Sequence, residues 1–153
     1  IPDILAGEIL WCATKAAIHG AGILLVAAAL GAVADWRALW VLPILFLAGL
    51  TFAATALVVT ARAGSYASFS YYTTLVMTPL MLLSGVFYPI STLPPLLQEI
   101  VHWLPLVHAV ELVRPLVAGL PLSNITLHLA VLVAYGIVGY LVAVRLVRKR
   151  LSI

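Results

Sequence analysis

The residues that could do chemistry in this chain are few, and most of them lie inside apolar sequence. Lys15 and His19 are four apart and so share a helical face. Lys15 sits within two turns of an expected helix end, where its long stem lets the ammonium reach an interface. His19 lies deeper. An ionisable group at that depth either faces a substrate path or is a neutral imidazole bonded to a neighbouring helix. Ser70, Thr74 and Thr78 recur every four residues as a hydroxyl stripe, with Phe69, Tyr71 and Tyr72 at one end. Pro79 leaves the Leu75 carbonyl without its helical donor. A threonine hydroxyl can serve the backbone there; alternatively, the stripe is a polar, aromatic-flanked path for an amphipathic substrate. Further on, Glu99 and His102, His108 and Glu111, and Glu111 and Arg114 are each three apart. Each pair shares a face, and mutual neutralisation is what charges in apolar surroundings need. Glu111 and Arg114 are therefore expected to act structurally.

The motifs of common catalysts do not occur. There is no HExxH, GxSxG or P-loop and no Cys/His cluster, so no catalytic residue and no metal site are expected. Cys12 is the sole cysteine, which excludes an internal disulfide.

The elements that carry these residues are set by composition. Hydrophobic residues make up 65% of the chain and charged residues 8%, against roughly 25% charged in an ordinary soluble domain. The expected fold is all-α: a polytopic membrane bundle with full spans near residues 9–33, 39–61, 68–88 and 125–146. Seven prolines from Pro79 to Pro121 inclusive cut the sequence near 89–121 into pieces of roughly ten residues, enough for about half a bilayer. Broken apolar helices at membrane depth belong where protein buries them or where they line a cavity. This segment is expected to form two short re-entrant helices, with Thr92 capping the first and the second ending before Pro115.

The net charge of +3 does not indicate nucleic acid, because Arg145, Arg148, Lys149 and Arg150 cluster at one end. By the positive-inside bias that tail stays cytoplasmic. With four spans, the start of the chain and Arg62 lie on the same side, and the Asp35 turn and the proline-rich segment lie outside. The chain opens at Ile1 in an amphipathic segment, IPDILAGEI, and is read as a piece of a longer protein. An apolar, acidic-tipped segment at a cytoplasmic edge suits docking into a groove on a partner. Small residues four apart, Ala16 with Gly20, Ala27 with Gly31 and Gly139 with Ala143, suit close helix packing.

The blocks LSGVFYPISTLPP (residues 83–95), LPLVHAVELVRPL (104–116) and GEILWCATKA (7–16) carry a resemblance. The chain resembles the membrane subunits of type-2 ABC transporters, and most of all the nodulation-type NodJ permeases. The resemblance covers essentially the whole sequence. It implies one domain over residues 1–153: the last four of six spans, without the first two and part of the coupling helix. By resemblance, residues 1–8 match the end of that coupling helix, so Asp3, Ile4, Leu5 and Glu8 would contact a cytoplasmic ABC ATPase. ATP and Mg would be used by that partner, with no cofactor in this chain. The resemblance also implies a second permease copy, as a homodimer, contact with membrane lipid, and the bacterial inner membrane as location. The substrate would be an amphipathic glycolipid or oligosaccharide such as a lipo-chitooligosaccharide, with His19, Ser70, Tyr71, Thr74 and Thr78 as path residues. Two other readings are a secondary transporter or channel subunit and an intramembrane enzyme. Against the first stand the absence of an acidic residue inside any expected full span and of a visible repeat.

Overall fold

The computed structural model describes residues 2–151, and these are all helical with connecting turns. Ile1 of the expected coupling segment lies outside the described residues, as do Ser152 and Ile153. Helix α1 (Pro2–Ala29) is unbroken, so the segment expected to dock a partner is continuous with the first span. It stops at Ala29 rather than near residue 33 because Gly31 turns left-handed, with φ 74°. Gly31 N–H bonds Ala28 O and Ala32 N–H bonds Ala27 O, at 3.0 and 2.9 Å. This Schellman closure satisfies the last carbonyls and redirects the chain.

A 3-10 turn (Trp36–Trp40), whose first amide bonds the Asp35 carboxylate, leads into α2 (Val41–Arg62). Then come α3 (Tyr66–Tyr72), a π-helical turn (Thr73–Met77) and α4 (Thr78–Leu83). These pieces of 7, 5 and 6 residues reach roughly 27 Å if each residue adds about 1.5 Å. The wide turn sits just before Pro79, the residue that cannot donate to the helical ladder. Gly85, with φ 83°, ends the run.

After a second 3-10 turn (Ile90–Thr92) come α5 (Pro95–Val101) and α6 (Pro105–Ala118), bent by 88°. Leu104, held extended at φ −81° and ψ 131° by the proline that follows it, makes the corner. The expected cap at Thr92 is not made: its hydroxyl donates to Pro89 O at 2.7 Å, and Pro94 precedes α5 with no side-chain cap. Helix α6 also continues through Pro115, and ends where Gly119 adopts φ 70° and donates to Pro115 O. Helix α7 (Ile125–Leu151) closes the fold.

Among the described residues, three stretches are long and apolar enough to cross a membrane: Pro2–Ala29, Trp36–Arg62 and Ile125–Leu151. The bent α5–α6 pair makes a fourth if it counts as one broken span.

Helix α2 packs between α1 and α7, and small residues allow the approach. A Cβ on Gly49 would lie 2.8 Å from Ala13 Cα, and one on Gly139 would lie 3.2 Å from Ala54. The expected packing role of Gly139 and Ala143 is therefore met, both being buried. Ala27 and Gly31 instead form the end of α1. The single hydroxyl hydrogen of Thr51 is shared between Leu47 O of its own helix (3.0 Å) and Leu132 O of α7 (2.9 Å). Ala48, Ala109, Leu112 and Leu132 form an apolar core where α2, α6 and α7 meet.

Candidate functional site

The polar residues of the broken segment converge on α7. A cavity of about 960 Å³ is lined by Glu99, His102, His108, Glu111, Asn124 and His128, among others. The 88° corner between α5 and α6 builds it, because it sets the end of α5 over the first turns of α6. His102 Nδ1 lies 2.5 Å from Gln98 O, and His108 Nε2 lies 2.9 Å from His102 O. His108 Nδ1 meets His128 Nδ1 at 2.7 Å. Tyr135 of α7 donates its hydroxyl to Trp103 O at 2.7 Å, fixing the corner itself.

These contacts assign the tautomers. A carbonyl only accepts, so His102 carries its hydrogen on Nδ1 and His108 carries one on Nε2. Neutral His108 then presents a bare Nδ1, and His128 Nδ1–H must donate to it. The Nε2 atoms of neutral His102 and His128 are left as acceptors. With Glu99 and Glu111 alongside, the cavity is rich in acceptors. Among the described residues no three His, Cys, Asp or Glu side chains are grouped as a metal ion would need.

The opposite end of the bundle gathers three chain segments. Tyr140 hydroxyl donates to Pro2 O at 3.1 Å. Arg150 Nη1 reaches Ala61 O and Ala63 O at 3.3 and 3.2 Å. The start of α1 is thereby tied to α7 at Tyr140, and the end of α2 to the basic end of α7 at Arg150. At the cavity's end, Ala34 N–H bonds Val117 O at 3.0 Å, which joins the Asp35 turn to α6. Asp3, Ile4 and Glu8 are exposed on the first turns of α1, Ile4 at 71%. Leu5, only 8% exposed, is separated from them. It begins the buried stripe Leu5, Ile9, Ala13, so it packs the bundle.

The other expected site residues do not form one site. His19 is exposed on α1, and Lys15 lies one turn away, its ammonium 5.5 Å from the Trp11 ring centroid. Ser70, Tyr71, Thr74 and Thr78 are all exposed along α3, the π turn and α4. The wider turn rotates Thr78 relative to Thr74, so the stripe is not straight. Thr73, not a stripe residue, donates its hydroxyl to a backbone carbonyl there, Phe69 O at 3.1 Å. Glu111 and Arg114 part company: Arg114 reaches Gly85 O across the α4–α5 connection, while Glu111 lines the cavity. Sequence reasoning missed His128. The i, i+3 spacing of the other histidines and glutamates marked a shared face, but no local signal names the helix that face meets.

Residues 1–118 match the ABC-2 type transporter family. The chain belongs to that family. It is 47% identical to nodulation protein J of Rhizobium leguminosarum bv. viciae over 150 residues, covering 97% of this chain and 58% of that protein. It is 43% identical to nodulation protein J of Rhizobium meliloti (strain 1021), covering 99% and 58%. To that of Neorhizobium galegae it is 44% identical, covering 98% and 57%. The chain thus spans a little more than half the length of these curated relatives. No solved structure matches it. Family and apolar helices together make this a multi-pass membrane chain of the ABC-2 type, with likeness to nodulation protein J.

Proposed function

We propose that this chain is the membrane-embedded part of an exporter subunit driven by ATP hydrolysed on a separate cytoplasmic ABC ATPase, which would use ATP and Mg. Helices α1, α2, the α3–α4 run and α7 serve as four spans, and α5 and α6 re-enter from the outer side. The start of α1 and the basic tail face the cytoplasm of a bacterium, across its inner membrane. Two copies pair as a homodimer among membrane lipids, and the cargo is an amphipathic glycolipid or oligosaccharide such as a lipo-chitooligosaccharide. His19, Ser70, Tyr71, Thr74 and Thr78 belong to its path.

One observation carries this reading. The exposed Asp3, Ile4 and Glu8 share an end with the close of α2 and the Arg150 tail, away from the broken helices. A positive cluster at that end agrees with a cytoplasmic face, and an exposed apolar residue flanked by carboxylates offers a docking tip. The motion of a docked ATPase would enter α1 directly, since no break separates Ile4 from the span.

The test uses the full-length permease co-expressed with its candidate ATPase. Ile4→Glu should insert at parental levels, lose co-purification of the ATPase and lose ATP-dependent uptake of labelled glycolipid into inverted vesicles. Retention of both by that variant overturns the docking role. A parent that moves the glycolipid without ATP overturns the exporter reading itself.

A further inference from the structure

The contact between α6 and α7 at the polar cavity is made by two imidazoles, with His108 Nδ1 and His128 Nδ1 2.7 Å apart and ring centroids 5.0 Å apart. Two nitrogens at that distance need one hydrogen between them, neither none nor two. His108 Nε2 already donates to His102 O, so in the neutral pair the shared hydrogen belongs to His128. A first added proton can go to His128 Nε2 and leaves the contact intact, because His128 Nδ1 still donates. A second has only His108 Nδ1 left to take. Two N–H groups would then oppose each other, on two cations, across 2.7 Å.

We propose that His108 and His128 form a proton-binding latch that holds the α5–α6 corner against α7 with up to one added proton and loosens when acid supplies the second. The apolar contacts of Leu112 and Leu116 keep α6 seated, and the Tyr135 bond to Trp103 O is a hinge that takes up no proton. His108 also holds the end of α5 through His102 O. An imidazole pushed away from His128 therefore draws α5 with it, and what opens is the mouth of the cavity between α5 and α7.

The charged surroundings set how readily acid acts. Glu99 and His102 on α5 and Glu111 on α6 line the cavity. At His108 burial opposes a second proton most, a charged His128 or His102 opposes it too, and the Glu111 carboxylate favours it. From α7 the facing polar groups are Tyr135 and, just before the helix, Ser123 and Asn124, all uncharged. Arg37 lies with Leu112 and Leu116 at a separate apolar cavity. Thr51 of α2 is neutral and is bonded to Leu132 O.

The test requires no assumption about substrate or orientation, because lipid nanodiscs put one pH on both sides. Spin labels at Leu96→Cys and Val133→Cys, in the full-length permease freed of other cysteines, report the distance from α5 to α7. The distribution should be narrow at about pH 8 and shift to longer, broader distances at about pH 5, the range in which imidazoles change charge. His128→Asn should stay narrow at both, because its amide can turn to donate to His108 or to accept from it. An unmutated latch with the same distances at both pH values overturns the proposal, and so does an acid response of His128→Asn equal to the parent's. If that variant does not fold, nitrogen NMR of the histidine-labelled parent decides. A coupling across an Nδ1–H···Nδ1 bond must be present at about pH 8 and gone at about pH 5; its absence at the higher pH overturns the latch.

Discussion

Helices α1, α2 and α7 and the α3–α4 run are built from similar amounts of apolar sequence but are used in opposite ways. In the first group half of the buried positions are alanine or glycine: Ala13, Ala48, Ala54, Gly139 and Ala143. Backbones approach there until a single added carbon would collide, and Thr51 ties α2 to α7. In the second group no residue is buried, and hydroxyls and aromatic rings stand exposed along the run. Lipid offers no hydrophobic drive for helices to associate, so close packing and hydrogen bonds must supply it. The packed trio has both. The α3–α4 run has few contacts with the rest of the fold and carries a π turn, a feature frequent at functional sites. The difference separates residues kept for holding the bundle from residues available for something that moves past it.

The comparison breaks most easily at Gly49. A Cβ there would lie 2.8 Å from Ala13 Cα, which is backbone, whereas one at Gly20 would meet only the side chain of Leu45, most closely at its Cδ1 tip. Each Gly→Ala change gains about 1 kcal/mol of helix propensity, and overpacking costs about 1–3 kcal/mol. Gly49→Ala should therefore lower unfolding stability in detergent, while Gly20→Ala should leave it unchanged or raised, since the leucine can turn aside. Equal losses at both would mean that α1 does not rest on α2 through these backbones. Next in size is Thr51→Val, which keeps shape and removes the bond to Leu132 O. Interhelical bonds in membranes contribute about 0.6–1.7 kcal/mol. A loss in that range is expected in the same unfolding measurement, and no loss would remove Thr51 from the account of how α2 holds α7.

Much of the fold was legible in sequence for reasons that apply to any apolar chain. Long apolar runs must satisfy their backbone internally, so α1, α2 and α7 were expected as helices, and the prolines marked the breaks. Pro115 is the exception, because α6 continues through it for a further turn. The candidate site was less legible. Spacing says that Glu111 and Arg114 share a face, yet the guanidinium reaches farther and finds the Gly85 carbonyl, presented by a left-handed glycine turn. Spacing likewise grouped His108 with Glu111, but the partner His128 is 20 residues away on another helix. Local periodicity gives faces; only packing says which faces meet. Leu5 makes the same point at the other end, since its apolar character alone could not distinguish docking from burial.

The smallest expected effect on stability is the one that most sharpens the contrast. Tyr71 is 67% exposed, and Thr74 is exposed beside it within the π turn. If these side chains serve cargo rather than packing, removing them should cost almost nothing in folding. Surface changes away from caps and networks usually stay within about 0.5 kcal/mol. Tyr71→Ala and Thr74→Val should therefore unfold like the parent and bind the ATPase like the parent, yet export more slowly. An isosteric Tyr71→Phe should retain most transport if the ring stacks on cargo, and lose it if the hydroxyl bonds to cargo. The measurement pairs detergent unfolding with uptake into inverted vesicles for the full-length permease. A stability loss as large as that of Gly49→Ala would show that α3 and its π turn are packed after all, against spans outside this chain or against a second copy. The run would then belong with the helices that hold the bundle, and the distinction between the two regions would fail at this point.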